Sequence, residues 1–245
     1  MKKTKTEIIR SHLETIVDLM STAVFLLLFI VGFYALFDIH FIQVSAQMDE
    51  EITKLAPDDA GVDIAALQEI NPEIRAWIRI NDTKIDYPIV QAKDNIKYLT
   101  RNYRGDYATA GSIFLDYRND GFNDDYSLVY GHRMDGQQMF GSILQFEDAD
   151  YFNNHKTGVL YTADATYDLE ISDFAVIDVS LTTIYRHDQN RNDFNDRIIS
   201  EIHSFAHQSR DIEYNENDKI IVLSTCDKDA KHYRNVLLAK MIKRD

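Results

Sequence analysis

The chain has 245 residues, room for one large domain with appendages, and its apolar and charged fractions (45% and 27%) are those of an ordinary globular protein. A formal net charge of −14 argues against binding to a phosphate backbone or to anionic lipid, so nucleic acid is not expected as a partner. A single cysteine excludes an internal disulfide, which leaves the fold to be held by its core.

The N-terminus departs from this average. Residues 19–37 (LMSTAVFLLLFIVGFYALF) carry no charge and lie between Asp18 and Asp38, long enough to cross a bilayer as a helix. A cleavable signal peptide has a shorter apolar core and a small-residue cleavage site, and the residues after Phe37 fit such a site poorly. A retained transmembrane anchor is therefore expected over residues 15–38. Lys2, Lys3, Lys5 and Arg10 precede it, whereas Asp38, His40, Asp49, Glu50 and Glu51 follow, so residues 1–14 are expected in the cytoplasm and the remainder outside. The charges of residues 1–14 and of the two flanking aspartates cancel, which puts the whole −14 on the exported part.

Residues 39–62 read as a juxtamembrane helix and linker, broken at Pro57 to Gly61. Asp63 is placed to cap a short helix through Ile70, which Asn71-Pro72 ends. Strand-like apolar runs then follow at 77–80, 85–90, 112–116, 127–132, 159–162, 167–179, 219–226 and 235–243. A helical turn is expected at 94–101, and helices at 137–146 and 192–209, where apolar residues recur near a 3.6 period. Eight strands and few helices, in a chain with only three prolines, make residues 63–245 a mainly β domain with peripheral helices, closed as an eight-stranded barrel.

Cys226 stands at the polar end of Lys219-Ile-Ile-Val-Leu-Ser-Thr-Cys226, where a buried strand leaves the core. A free cysteine can pack as a small hydrophobe, and it becomes a nucleophile when a neighbour takes its proton, most often an imidazole. Of the eight histidines, His12 and His40 flank the span and His187 lies in a charged loop. His203 and His207 fall i, i+4 on an expected helix; such a pair can ligate a metal, but no third ligand is near, so neither metal nor cofactor is called for. His132 differs, because it follows Leu128-Val-Tyr-Gly131 at the end of another apolar strand. Arg234 lies eight residues past Cys226, just before the last strand, where a permanent positive charge could face a developing oxyanion or simply sit solvated in a turn.

Val222-Leu-Ser-Thr-Cys226 and Tyr130-Gly-His132 resemble the sortase segments that carry the catalytic cysteine and histidine, and Arg234 falls where that family has its arginine. Ile70-Asn-Pro-Glu-Ile-Arg-Ala-Trp77, Ile85-Asp-Tyr-Pro88, Asp94-Asn-Ile-Lys-Tyr-Leu99, Gly111-Ser-Ile-Phe-Leu-Asp-Tyr-Arg-Asn119 and Met139-Phe140 resemble class B sortases in particular. So does the long helical insertion ahead of the cysteine strand. A departure is Val222, where sortases commonly have Thr; on a core strand this touches packing more than chemistry.

The resemblance implies a membrane-anchored cysteine transpeptidase. It would cleave the Thr-Gly-type bond of a C-terminal sorting signal through a thioacyl intermediate on Cys226, with His132 as acid and base and Arg234 at the oxyanion. Asn95, Leu99, Tyr130, Thr183, Tyr185 and Ser224 are implied as substrate contacts. The implied partners are surface proteins or pilins that bear the signal, with a peptidoglycan precursor or a pilin lysine as acceptor. A secreted cysteine hydrolase using water, and a non-catalytic membrane-anchored binding domain, are the alternatives.

Overall fold

The computed structural model describes residues 5–45, 50–57, 61–180, 183–186, 194–226 and 232–244. Lys2 and Lys3, residues 58–60 of the expected break, His187, and residues 192–193 of the expected helix lie outside this set. The chain divides into two compact units, Met1–Val44 and Ser45–Asp245. In the first, helix α1 (Lys5–Ser45) contains one segment, His12–Ile39, that is long and apolar enough to cross a membrane. Its apolar side chains, Phe25, Leu28 and Phe29 among them, are exposed.

The second unit opens with α2 (Glu50–Thr53) and α3 (Ile64–Ile70). Asp63 caps α3 as its sequence suggests, its carboxylate accepting from the Ala66 N–H at 3.0 Å. Among the described residues nine strands follow: β1 (Ile74–Ile80), β2 (Asp86–Val90), β3 (Ile113–Leu115), β4 (Tyr126–Gly131), β5 (Thr157–Thr162), β6 (Thr166–Asp178), β7 (Ala206–Ser209), β8 (Lys219–Cys226) and β9 (Tyr233–Lys243). Pairing runs β5-β1-β2-β3-β4-β8-β9-β6, and β6 pairs back to β5, so eight strands close into a barrel while β7 adds only to β6. Among the described residues each barrel strand thus has a strand neighbour on both sides.

Alternation along the strands gives the barrel two apolar surfaces. Ile78, Ile89, Val129, Ile171, Ile221, Leu223 and Leu237 fill the interior. On the outside, Tyr126, Leu128, Val222 and Leu238 are covered by Ile184 and by Ile198 and Ile202 of helix α5 (Phe194–Ser204). A second outer cluster sets Trp77, Val90 and Phe114 under Ile52 of α2 and Ile64 and Leu67 of α3. Each such side chain removed from water contributes roughly 1.5–3 kcal/mol before conformational entropy is charged against it.

Two expected helices take other forms. The 192–209 segment is helical only to Ser204 and then pairs with β6 as β7, so His207 lies on a strand and not one turn from His203. In place of the helix expected at 137–146 stand two 3₁₀ segments, Asp135–Gln137 and Gly141–Glu147, with Met139 between them at φ 51°. Helix α4 (Ala149–Asn154), capped by Asp148, follows them.

Candidate active site

Strands β4 and β8 are parallel neighbours, and this pairing assembles the site. Tyr130 lies opposite Ser224 and Gly131 opposite Thr225, so both strands run out on the same end of the barrel with His132 and Cys226 next in line. On the other side of β8, antiparallel β9 sets Arg234 directly opposite Cys226. His132, Cys226 and Arg234 thus occupy one row across three adjacent strands, whose spacing is about 4.8 Å per strand. Residues two apart share a strand face, so His132 continues the outer face that carries Tyr130. His132 and Arg234 are half-buried.

The strand can bring His132 here only through glycine. A Cβ on Gly131 would lie 2.5 Å from the Ile113 side chain and 2.7 Å from Phe140. The His132 Nε2 lies 2.8 Å from the Leu99 carbonyl oxygen. A carbonyl only accepts, so Nε2 carries the hydrogen and Nδ1 is the nitrogen left for proton exchange. Leu99 is placed by the 3₁₀ segment Lys97–Leu99, which Asp94 starts by accepting the N–H groups of Ile96 and Lys97. Lys97 Nζ and the Tyr98 hydroxyl both donate to Glu73, and Asn71 donates to Tyr98, fixing the segment to the end of α3. Burial raises the Glu73 carboxyl, but the bonds from Lys97 and Tyr98 outweigh it and hold the group below its ordinary value.

Below the row, four of the implied substrate contacts, Asn95, Tyr130, Tyr185 and Ser224, gather together. Tyr130 donates its hydroxyl to Asp116 Oδ2 at 2.9 Å, and Asn95 Nδ2 donates to the same oxygen at 3.0 Å. Asn95 Oδ1 accepts from the Tyr117 N–H, which fixes the amide in both directions. The Tyr185 hydroxyl pairs with Ser224 Oγ at 2.8 Å, and its ring stacks on Tyr130 with centroids 6.3 Å apart. Thr183 goes elsewhere: its N–H and hydroxyl both bond to Glu201 of α5.

Asp116 and Arg118 were not singled out by sequence, although both stand in the Gly111 to Asn119 motif. Asp116 is fully buried, and Arg118 grips it with Nε on Oδ1 at 2.8 Å and Nη2 on Oδ2 at 2.7 Å. Burial alone would raise this carboxyl, but the bonds from Arg118 and Asn95 prevail and it sits below its ordinary value. Tyr130 moves the other way, pushed well above its ordinary range by burial and by the Asp116 charge, so its hydroxyl is a neutral donor. Among the described residues no group of three or more His, Cys, Asp or Glu is placed to hold a metal. His203 Nδ1 instead pairs with Asp173 at 2.9 Å, and His207 Nδ1 lies 3.5 Å from Glu147.

Comparison with known proteins decides the family. The sortase domain model matches residues 78–242, about two thirds of the chain. The chain belongs to the sortase family. Its relatives are of class B: sortase B of Listeria monocytogenes is 36% identical over 181 residues, which cover 72% of each protein. The crystal structure of B. anthracis sortase B in complex with AAEK1 matches with a TM-score of 0.66 and 40% identity, over 73% of this chain and 83% of that one. The Streptococcus pyogenes class B sortase involved in pilus biogenesis matches with a TM-score of 0.67 and 30% identity, over 74% and 98%. This class B sortase is therefore a transpeptidase on an eight-stranded barrel, with its cysteine strand at the centre of the row described above.

Proposed function

We propose that this sortase cleaves a Thr-Gly-type bond in the C-terminal sorting signal of surface proteins and transfers the acyl group to an amine, with Cys226, His132 and Arg234 as its catalytic residues. The observation that carries the reading is the register: Cys226 lies opposite Arg234 on one side and beside the end of the His132 strand on the other.

The Cys226 thiol passes its proton to His132 Nδ1 and the sulfur attacks the threonine carbonyl, forming the S–C bond and an oxyanion beside the Arg234 guanidinium. Collapse breaks the C–N bond, and His132 gives the leaving amine its proton, so the signal's C-terminal part departs as a neutral amine. The acceptor amine then attacks the thioacyl carbonyl and loses a proton to His132, and the thiolate leaves. Asn95, Leu99, Tyr130, Tyr185 and Ser224 line the peptide's path below the row, and Thr183 supports the wall through Glu201.

The acceptor is a cell-wall peptide amine or a pilin lysine. The pilus role of the S. pyogenes relative belongs to that protein and makes the pilin arm worth running beside the cell-wall arm. Anchoring through residues 15–38 with the barrel outside fits the apolar segment and the basic N-terminal flank.

The test uses a peptide library with Thr-Gly fixed and the flanking positions varied. An adduct whose mass equals Cys226 plus the acyl half of a peptide supports the reading, as does its discharge by added amine. Unchanged products on adding amine indicate the water-using hydrolase, and normal turnover by Cys226→Ala removes the cysteine from the mechanism.

A further inference from the structure

The geometry points to Asp116 and Arg118 as positioning residues that hold the two walls and the floor of the substrate groove in register, a role that rests on the peptide path proposed above. Neither side chain lies in the His132–Cys226–Arg234 row. Their bonds run instead to three of the six implied substrate contacts, Asn95, Tyr130 and Tyr185, and through Tyr185 reach a fourth, Ser224.

The connections form a continuous chain across the groove. On one wall Asn95, 21 residues before Asp116 in sequence, donates to Asp116 Oδ2. On the floor Tyr130, from β4, donates to the same oxygen. Arg118 Nε and Nη2 grip the carboxylate, while its Nη1 reaches across 67 residues of sequence to the Tyr185 carbonyl at 3.0 Å. Tyr185 belongs to the opposite wall, and its hydroxyl returns to the floor at Ser224, two residues before Cys226. Gln91 completes the support from beneath, donating to the carbonyls of Asp116 and Asn119.

Orientation, more than cohesion, is what such a pair supplies. A buried ion pair contributes little net stability, because desolvating its charges offsets their attraction, and apolar replacements of both partners are often tolerated. What apolar side chains cannot reproduce is direction. With Asp116 ionised, both Asn95 and Tyr130 must point donors into it, which fixes the hydrogens and lone pairs that they turn toward a peptide backbone. Arg118 sets the height of Tyr185 in the same way. The pair is internally neutral, so the groove gains this geometry without an unpaired charge.

Two variants of the full chain in detergent separate this role from a merely structural one: Asp116→Asn, and the double replacement Asp116→Leu with Arg118→Met. Both are measured with the peptide that wild type acylates best in the Thr-Gly library. The expected result is a rise in KM of about tenfold or more, as for loss of charge-assisted hydrogen bonds, with kcat changed less than about twofold. Alkylation of Cys226 by iodoacetamide, which needs no peptide groove, is expected to keep its wild-type pH profile in both. An unchanged KM overturns the proposal, as does a fall in kcat with a shifted alkylation profile, which would mean that the pair acts on the catalytic row. Loss of the folded circular dichroism spectrum in both variants overturns it in favour of a structural role. Failure of wild type to form any thioacyl adduct while Cys226 still alkylates sinks the transpeptidase mechanism and the groove with it. That outcome is read on wild type, apart from the variants.

Discussion

His132 Nε2 donates to the Leu99 carbonyl across 33 residues of sequence, and the carbonyl can occupy that place because residue 111 has no side chain. A Cβ on Gly111, which sits at φ 61°, would lie 2.5 Å from the Tyr98 oxygen and 2.8 Å from the Leu99 oxygen. Gly111→Ala is therefore expected to push Leu99 away from the imidazole. With His132 in its proposed proton-transfer role, a misplacement of about 1 Å costs on the order of a hundredfold in rate. Single-turnover acylation should slow by that order while peptide KM moves less, and the left-handed backbone should cost a further ~1–2 kcal/mol of stability in urea denaturation. Wild-type acylation in this variant would show that the Leu99 bond does not position His132.

The barrel was legible because its signals are local. All eight expected strands form, since each is a run of apolar β-formers closed by turn residues, and the Asp63 cap needed only the next three residues. The candidate row was readable because His132, Cys226 and Arg234 all stand at strand ends, though their adjacency depends on the parallel β4–β8 pairing, which no local pattern reveals. Where tertiary contacts overrode the pattern, the reading changed. The apolar period of residues 192–209 continues through Phe205 and Ala206, yet pairing with Phe174 and Ala175 of β6 makes that end a strand. Asp116 passed as the polar boundary of β3 because its partners, Asn95 and Tyr130, lie 21 and 14 positions away. Thr183 matched the groove in sequence, but Glu201 holds both its N–H and its hydroxyl.

Arg234 is a test of geometry as well as charge. Its backbone lies opposite Cys226, and Nη1 donates to the Tyr233 carbonyl at 2.8 Å, which turns the guanidinium in a fixed direction. Loss of one oxyanion donor costs about 10²–10³ in kcat. Arg234→Ala is expected to fall in that range. Arg234→Lys keeps the charge but not the planar fork, so it should recover only part of the loss. Equal kcat for Lys and Arg would mean that charge alone suffices.

Acid should loosen the groove before it unfolds the barrel interior. Asp116 and Glu73 both have folded pKa values below their ordinary 3.8 and 4.5. A carboxyl depressed in this way contributes its full stabilisation above the ordinary value and loses it as pH falls through the lower folded value. Stability is thus expected to be level in these two groups above pH 4.5 and to fall below it, first through Glu73 and then, below pH 3.8, through Asp116. One proton contributes at most about 1.4 kcal/mol per pH unit to that slope. Urea midpoints taken between pH 6 and pH 3 should show a shallower acid slope for Asp116→Asn than for wild type. Parallel slopes would assign the acid sensitivity to other carboxylates.

The lone cysteine makes the membrane orientation measurable. His12–Ile39 is long and apolar enough to span a bilayer, with basic residues concentrated before it and a strongly acidic sequence after it. If the barrel is outside, a membrane-impermeant maleimide added to intact cells should label the full chain at Cys226, and Cys226→Ala should remain unlabelled. Lys5→Cys in the Cys226→Ala background should label only after the membrane is opened. Labelling in detergent establishes that each thiol reacts, so a difference on intact cells reports sidedness and not burial. The reverse pattern, Lys5→Cys labelled on intact cells and Cys226 only after lysis, would place the proposed catalytic row in the cytoplasm, where no cell-wall amine or assembled surface protein could reach it.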